Sequence, residues 1–235
     1  MTHDADSDAP RTLEDVLADM HAGRYGDELI VRRNRRDAAA VIDDLRAAGY
    51  DVDWISDLRR LGVKYHSAVP ILIGWLPRVD NRNVLESVVR TLSVPWARPQ
   101  AARPLIELFA RTADEMLRWA IANGLEVVAD DSVYDDLLRL FSDPASGRAR
   151  QMLALALSRF PKRAATSVPV LLKHLDEPDI YGHVIIALGR LRADVADAIR
   201  PFERDERAWV RSEARKALKR ISKVHAGSDT GDGHR

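Results

Sequence analysis

The chain has 235 residues, and its 36 lysine and arginine residues balance 36 aspartate and glutamate residues, which argues against a protein that coats nucleic acid with its whole surface. Cysteine is absent, which excludes disulfide scaffolds, thiolate metal sites and cysteine nucleophiles. No stretch approaches about 18 uninterrupted apolar residues, so we expect a cytoplasmic protein without a membrane span.

The N-terminal part of the chain is predicted to precede a set of repeats. Residues 1–19 carry six acidic side chains against one arginine, and we expect residues 1–10 to form a disordered acidic tail. A helix is predicted near residues 12–21. A further helix is indicated by four apolar residues on one face: Ala38, Val41, Ile42 and Leu45. Residues 11–65 are therefore interpreted as an N-terminal helical cap or degenerate repeat.

Five predicted helices then follow at a nearly constant period. Their apolar residues recur with the i, i+3, i+4 spacing of one helical face, and their first members lie 33, 32, 34 and 31 residues apart. These first members are Val69, Ala102, Tyr134, Val168 and Ile199. A second helix is predicted after each, with apolar faces that begin at Leu85, Leu117, Leu153, Val184 and Ala214.

Proline supports this division into helices. It falls in the expected first turn of four of the five first helices, where its missing N–H costs no hydrogen bond. These prolines are Pro70, Pro104, Pro169 and Pro201. Because each helical hairpin exposes too much apolar surface to stand alone, the predicted fold is all-α, an α-solenoid of about five to six hairpins over residues 66–223. Residues 224–235 are expected to form a disordered tail.

The last two repeats resemble a known family. Residues 168–191 (VPVLLKHLDEPDIYGHVIIALGRL) and 202–221 (FERDERAWVRSEARKALKRI) are similar to HEAT repeats of the short bacterial type, also called PBS-lyase-type repeats. The resemblance covers about residues 66–221, and residues 37–65 more loosely. It implies a helical solenoid that holds a partner, but no particular activity.

In that family, the arginine of a Val-Arg motif often pairs with acidic turn residues along the stack. Arg82, Arg150 and Arg211 occupy the corresponding position here, whereas Asp114 and Tyr181 replace the arginine in the other two repeats. We expect these departures to interrupt the series of arginine–acid pairs along the stack. They are interpreted either as random drift or as positions where a partner is recognised.

No catalytic signature is found, because G-x-S-x-G, a phosphate-binding glycine loop and H-E-x-x-H are all missing. We therefore expect no catalytic residue, no cofactor and no metal site. The densest acidic group is interpreted as capping a helix rather than holding a metal. It consists of Asp130, Asp131, Asp135 and Asp136.

The candidate partner-binding residues are those of the second helices, because exposed Trp, Tyr and Arg most often carry interface energy. They are Arg82, Asp114, Arg118, Trp119, Arg150, Tyr181, His183, Arg207, Arg211 and Arg215. The last three recur every four residues, which indicates either the solvated face of a terminal cap or a surface that binds an anion. A second basic cluster is interpreted as a polar cap or as a partner for the acidic N-terminal residues: Arg32, Arg33, Arg35 and Arg36.

Three functions remain open from the sequence. The leading one is a non-enzymatic scaffold that binds an unidentified protein or peptide on a concave surface of second helices. The second, less favoured, is nucleic-acid binding by analogy with HEAT-like alkylpurine DNA glycosylases, with Trp119, Asp114 or Glu115, Arg150 and Arg211 in a groove. The third is a role like that of bilin lyases, which carry this repeat type, although no residue here is specific for a tetrapyrrole.

Overall fold

The computed structural model describes the backbone of residues 24–228 and the side chains of residues 27–222. Within this part of the chain all regular structure is helical and no strand occurs, so the all-α prediction is confirmed. The tail expected at residues 1–10 and the helix expected near residues 12–21 lie outside the described residues. The C-terminal helix continues through Ser228, within the segment predicted as a tail, and residues 229–235 lie outside the described residues.

Eleven α-helices are described. They are α1 (Arg24–Ala47), α2 (Ala68–Trp75), α3 (Arg82–Leu92), α4 (Ala102–Arg111), α5 (Glu115–Val128), α6 (Tyr134–Ser142), α7 (Arg150–Leu157), α8 (Ala164–Leu172), α9 (Tyr181–Leu191), α10 (Ala196–Ile199) and α11 (Ala208–Ser228). Short 3-10 turns lie between them at Ile55–Arg60, Pro95–Ala97, Asp131–Val133, Pro144–Ala149, Pro161–Arg163 and Arg200–Arg204.

The helices occur in the predicted pairs. The first helices α2, α4, α6, α8 and α10 each contact the second helix that follows, and each second helix from α3 to α9 also packs against the second helix of the next pair. Gly189 on α9 allows one such close approach, because a Cβ at this position would lie 2.6 Å from the Cβ of Ala217 on α11. The side chains between the helices form one continuous core.

The middle and the start of this arrangement differ in burial. Every residue of α7 except Gln151 is buried, since α5, α6 and α9 all pack against this helix. On α1, the predicted face of Ala38, Val41, Ile42 and Leu45 is buried against the first pair. The N-terminal half of α1 instead exposes three large apolar side chains: Leu29, Ile30 and Val31.

Two of the four predicted first-turn prolines lie elsewhere. Pro201 follows α10, in the 3-10 turn Arg200–Arg204. Pro169 is the sixth residue of α8 rather than a first-turn residue, because the helical stretch already begins at the turn Pro161–Arg163. Pro161 therefore takes the first-turn position predicted for Pro169. Pro70 and Pro104 do lie in the first turns of α2 and α4, as predicted.

Candidate functional site

The N-terminal ends of the second helices are linked from pair to pair by polar side chains. At the first link, Arg82 Nε on α3 lies 3.6 Å from Asp114 Oδ2 at the start of α5. Asp114 also caps α5, since its Oδ1 accepts a hydrogen bond of 2.7 Å from the backbone N–H of Leu117. Asp114 therefore supplies the acidic partner of Arg82, whereas the contact with the next pair is made by Arg118, whose Nη1 donates to the carbonyl oxygen of Ala145 at 2.8 Å.

Arg150 makes the most buried of these links, with a side chain only 5% exposed. Its guanidinium donates to both carboxylate oxygens of Glu177, at 2.6 and 3.1 Å, and its Nε donates to the carbonyl oxygen of Phe141 at 2.7 Å. The guanidinium and, secondarily, the ring of His174 hold the pKa of Glu177 below its ordinary value, against the opposite effect of burial. Arg150 thus ties α7 to the turn before α9 and does not lie on the surface expected of a partner-binding residue.

Tyr181 makes the next link without an arginine of its own. Its hydroxyl donates to Asp205 Oδ2, and the guanidinium of Arg207 lies 4.1 Å from the centre of its ring. Arg207 in turn donates from Nη1 to the carbonyl oxygen of Pro178 at 2.9 Å. At Tyr181 a hydroxyl and an aromatic ring therefore make the contact with the next pair in place of an ion pair.

His183 and Trp209 form the exposed edge of this link. Their ring centres lie 5.6 Å apart, and Trp209 is 44% exposed. The indole packs against Gly182, where a Cβ would lie 2.1 Å from the ring. Burial, with a smaller contribution from the charge of Arg207, lowers the pKa of His183. Among the described residues, the buried atoms His183 Nδ1 and Arg207 Nη2 find no hydrogen-bond partner.

The predicted basic stripe on the last helix is divided among three environments. Arg207 lies one residue before α11 and turns toward Tyr181. Arg211 donates from Nη1 to the carbonyl oxygens of Asp205 and Glu206 at 2.7 and 2.8 Å. Arg215 is exposed. Of the three side chains, Arg215 alone has the solvated position expected of a terminal cap.

Arginine also joins neighbouring helix pairs outside the predicted set, a role that the sequence analysis missed. The signal was the composition, since arginine outnumbers lysine thirty to six, and the planar guanidinium offers five donors that suit carbonyl and carboxylate groups. Arg190 Nη1 on α9 even reaches Glu126 Oε1 on α5 at 2.8 Å, across the shorter helix α7. Carbonyl oxygens of other pairs accept bonds from Arg103, Arg111 and Arg159, as one also does from Arg118 of the predicted set.

A cleft opens between the N-terminal ends of α5 and α7. It has a volume of about 220 Å³ and is lined by Glu115, Met116, Trp119, Arg148 and Gln151. Met116 is 55% exposed. Trp119 is half-buried, and its Nε1 donates to Gln151 Oε1 at 3.2 Å. The sequence predicted Trp119 at this surface but missed Met116, although Met116 lies one helical turn before Trp119.

The groove considered for a glycosylase-like function assembles only in part from the predicted residues. Trp119 and Glu115 line the same cleft, but Arg150 is buried and Arg211 donates to carbonyl oxygens, so neither predicted arginine lies there. Asp114 caps α5. The predicted acidic cluster has ordinary structural partners: Asp130 accepts a bond from the backbone of Ser132, as expected of a cap, and Asp136 pairs with two arginines.

In residues 24–228, no group of three or more histidine, aspartate or glutamate side chains is arranged to hold a metal ion. No helix in this range is long and apolar enough to cross a bilayer. Comparisons of the whole chain with protein-family models, with curated proteins and with solved structures find no match.

Proposed function

We propose that this chain is a non-catalytic scaffold, a solenoid of HEAT-like helical hairpins, that binds a protein or peptide partner on the surface of its second helices. The period of 31 to 34 residues and the packing of successive second helices support the solenoid.

The cleft at Met116 and Trp119 is the observation that carries the proposed binding role. Exposed Trp side chains contribute strongly to interfaces, and Met adapts its shape to different partners. The volume of about 220 Å³ is below the range of about 300–1,000 Å³ typical of small-molecule sites. We therefore expect the cleft to receive one apolar side chain of a polypeptide, while Glu115 and Arg148 at its rim contact polar groups on either side.

A protein ligand has more support than a nucleic acid. The arginines that link the second helices, Arg150, Arg207 and Arg211, already donate hydrogen bonds within the chain. Their acceptors are Glu177, Asp205 and backbone carbonyl oxygens. A groove that tracks a phosphate backbone instead needs several cations whose charge is available to phosphate.

The proposal is tested by selecting peptides from a random display library on the full chain and measuring their affinities by fluorescence polarisation. Met116→Glu places a charge at an exposed position of the cleft, so we expect it to weaken binding by at least about tenfold without unfolding the chain. Val63→Glu is the matched control, because Val63 is 59% exposed at a cleft lined in part by Tyr65 and Trp96. Selected peptides that bind Met116→Glu and the unchanged chain equally well would contradict the proposed surface.

A further inference from the structure

Three arginines gather near the C-terminal ends of α5 and α7. Arg190 Nη1 lies 2.8 Å from Glu126 Oε1, and Arg159 Nη1 donates to the carbonyl oxygen of Glu126 at 2.8 Å. Arg98 follows the 3-10 turn Pro95–Ala97, which packs on α5, and its charge acts on Arg159. Arg98, Arg159 and Arg190 are called the arginine cluster below.

The arginine cluster carries more positive charge than its acidic neighbour neutralises. Partial burial lowers the pKa of Arg159, and the charges of Arg98 and, to a smaller extent, Arg190 lower it further, whereas the charge of Glu126 opposes them. Within residues 27–222, neither Arg98 nor Arg159 forms an ion pair, since Glu126 pairs with Arg190. Three guanidinium groups against one carboxylate therefore leave an excess of two positive charges.

Hydrogen bonds within the chain leave most donors of the arginine cluster unused. Arg159 donates one bond, to a carbonyl oxygen in the last turn of α5 that has no partner inside that helix, although a guanidinium offers five N–H donors. The buried Nε of Arg98 finds no hydrogen-bond partner among the described residues. Because Arg159 and Arg190 are both exposed, the cluster can donate to an anionic group that approaches from solvent.

The arginine cluster lies on the same side of α5 as the cleft at Met116 and Trp119. Glu126, the residue on which Arg159 and Arg190 meet, follows Trp119 by seven residues. This spacing returns to nearly the same side of an α-helix at a point about 10.5 Å further along its axis. An extended polypeptide covers about 3.3 Å per residue, so one short segment can reach both the cleft and the cluster.

We propose that the arginine cluster binds a carboxylate of the polypeptide partner, from an aspartate or glutamate about three or four residues away from the apolar side chain that enters the cleft. This inference rests on the function proposed above and gives the partner a chemistry, an acidic group at a fixed spacing from an apolar anchor. Guanidinium and carboxylate groups form strong charge-assisted hydrogen bonds. A local excess of positive charge suits one such carboxylate, whereas a phosphate backbone needs cations spread along a groove.

A double-mutant cycle with peptides selected on the full chain tests the carboxylate site by fluorescence polarisation. We expect these peptides to carry an acidic residue about three or four positions from an apolar one. Replacing that acidic residue by its amide should weaken binding to the unaltered chain at least about fivefold and should have little further effect on binding to Arg159→Gln. Arg204→Gln is the matched control, because Arg204 is exposed, has no ion pair among the described residues and lies on the turn before α11.

Selected peptides without acidic residues, or an amide replacement that weakens binding equally in the unaltered chain and in Arg159→Gln, would overturn the proposal. Weaker binding to Met116→Glu but not to Arg159→Gln would keep the cleft and overturn the carboxylate site, whereas the reverse would support the carboxylate site and contradict the cleft. Equal losses in Arg159→Gln and Arg204→Gln would also overturn the proposal, because they would show an effect of overall charge.

A measurement on the unaltered chain covers the case in which Arg159→Gln fails to fold. Raising the NaCl concentration from about 50 to about 300 mM screens the attraction between guanidinium and carboxylate groups. This change should therefore weaken binding of the acidic peptide at least about threefold more than binding of its amide variant. Equal salt dependence of the two peptides would overturn the proposal.

Discussion

The links on the two sides of α9 use similar groups in different surroundings. In the central link, the guanidinium of Arg150 lies 5.4 Å from the ring centre of Phe141 and pairs with Glu177. The last link joins α9 to α11 through Tyr181 and Arg207. There the guanidinium of Arg207 lies 4.1 Å from the ring centre of Tyr181 and 3.5 Å from a carboxylate oxygen of Asp205.

The two links differ in how far their arginine side chains are exposed to solvent. The side chain of Arg150 is 5% exposed and that of Arg207 is 31% exposed, because the central link is covered on both sides by further helix pairs. The position of a link in the stack, rather than the residue types in it, therefore decides whether an arginine and its aromatic neighbour are purely structural.

The largest expected difference between the two links is in stability. Arg150→Ala leaves Glu177 and the carbonyl oxygen of Phe141 without their donor, and we expect it to lower the free energy of unfolding by about 3 kcal/mol. Arg207→Ala removes a more exposed group and should cost about 1 kcal/mol. Urea unfolding followed by circular dichroism measures both values, and equal losses at the two positions would contradict the comparison.

A smaller effect is expected from the hydroxyl that replaces an ion pair in the last link. Tyr181→Phe removes the hydrogen bond to the carboxylate of Asp205 and should lower the free energy of unfolding by about 1 kcal/mol. Tyr50→Phe is the matched control, because its hydroxyl bonds that of Ser67 in an exposed position. The same urea experiment should show a clearly smaller loss of unfolding free energy for Tyr50→Phe than for Tyr181→Phe. An equal or larger loss for Tyr50→Phe would contradict the expected contribution of the Tyr181 hydroxyl.

The smallest expected effects are in the pH dependence of stability, which differs between the links. The lowered pKa of Glu177 stabilises the folded chain above the ordinary value of 4.5, and this contribution is lost as the pH falls below it. The lowered pKa of His183 means that the unfolded chain takes up this proton first, so stability is lost as the pH falls below 6.5.

Urea unfolding across both pH ranges separates the two contributions. His183→Gln should flatten the dependence just below 6.5 and leave the dependence near 4.5 unchanged, and Glu177→Gln should do the reverse. Identical pH profiles for the two variants would contradict the assignment of each range to its own link.

The helix pairs could be predicted from the sequence because their signals are local. The apolar spacing located α4 and α6 at the predicted residues, Ala102 and Tyr134. It misjudged the start of α8, since Pro169 resembled a first-turn proline and the true one, Pro161, belongs to a short 3-10 turn. It also could not foresee that Met116 would be exposed beside Trp119, because both are apolar residues that a core could equally have contained.

By itself, the sequence determined the all-helical class, the period of the helix pairs and most of their apolar faces, because these properties depend on residues within a few turns of one another. Only the tertiary structure decided which arginine, tyrosine and tryptophan side chains are structural and which are open. The physical reason is that their partners lie about one repeat away, as with Arg150 and Glu177, which are 27 residues apart, or Arg207 and Pro178, 29 residues apart. Which donor meets which acceptor over that separation is set by how the helices pack.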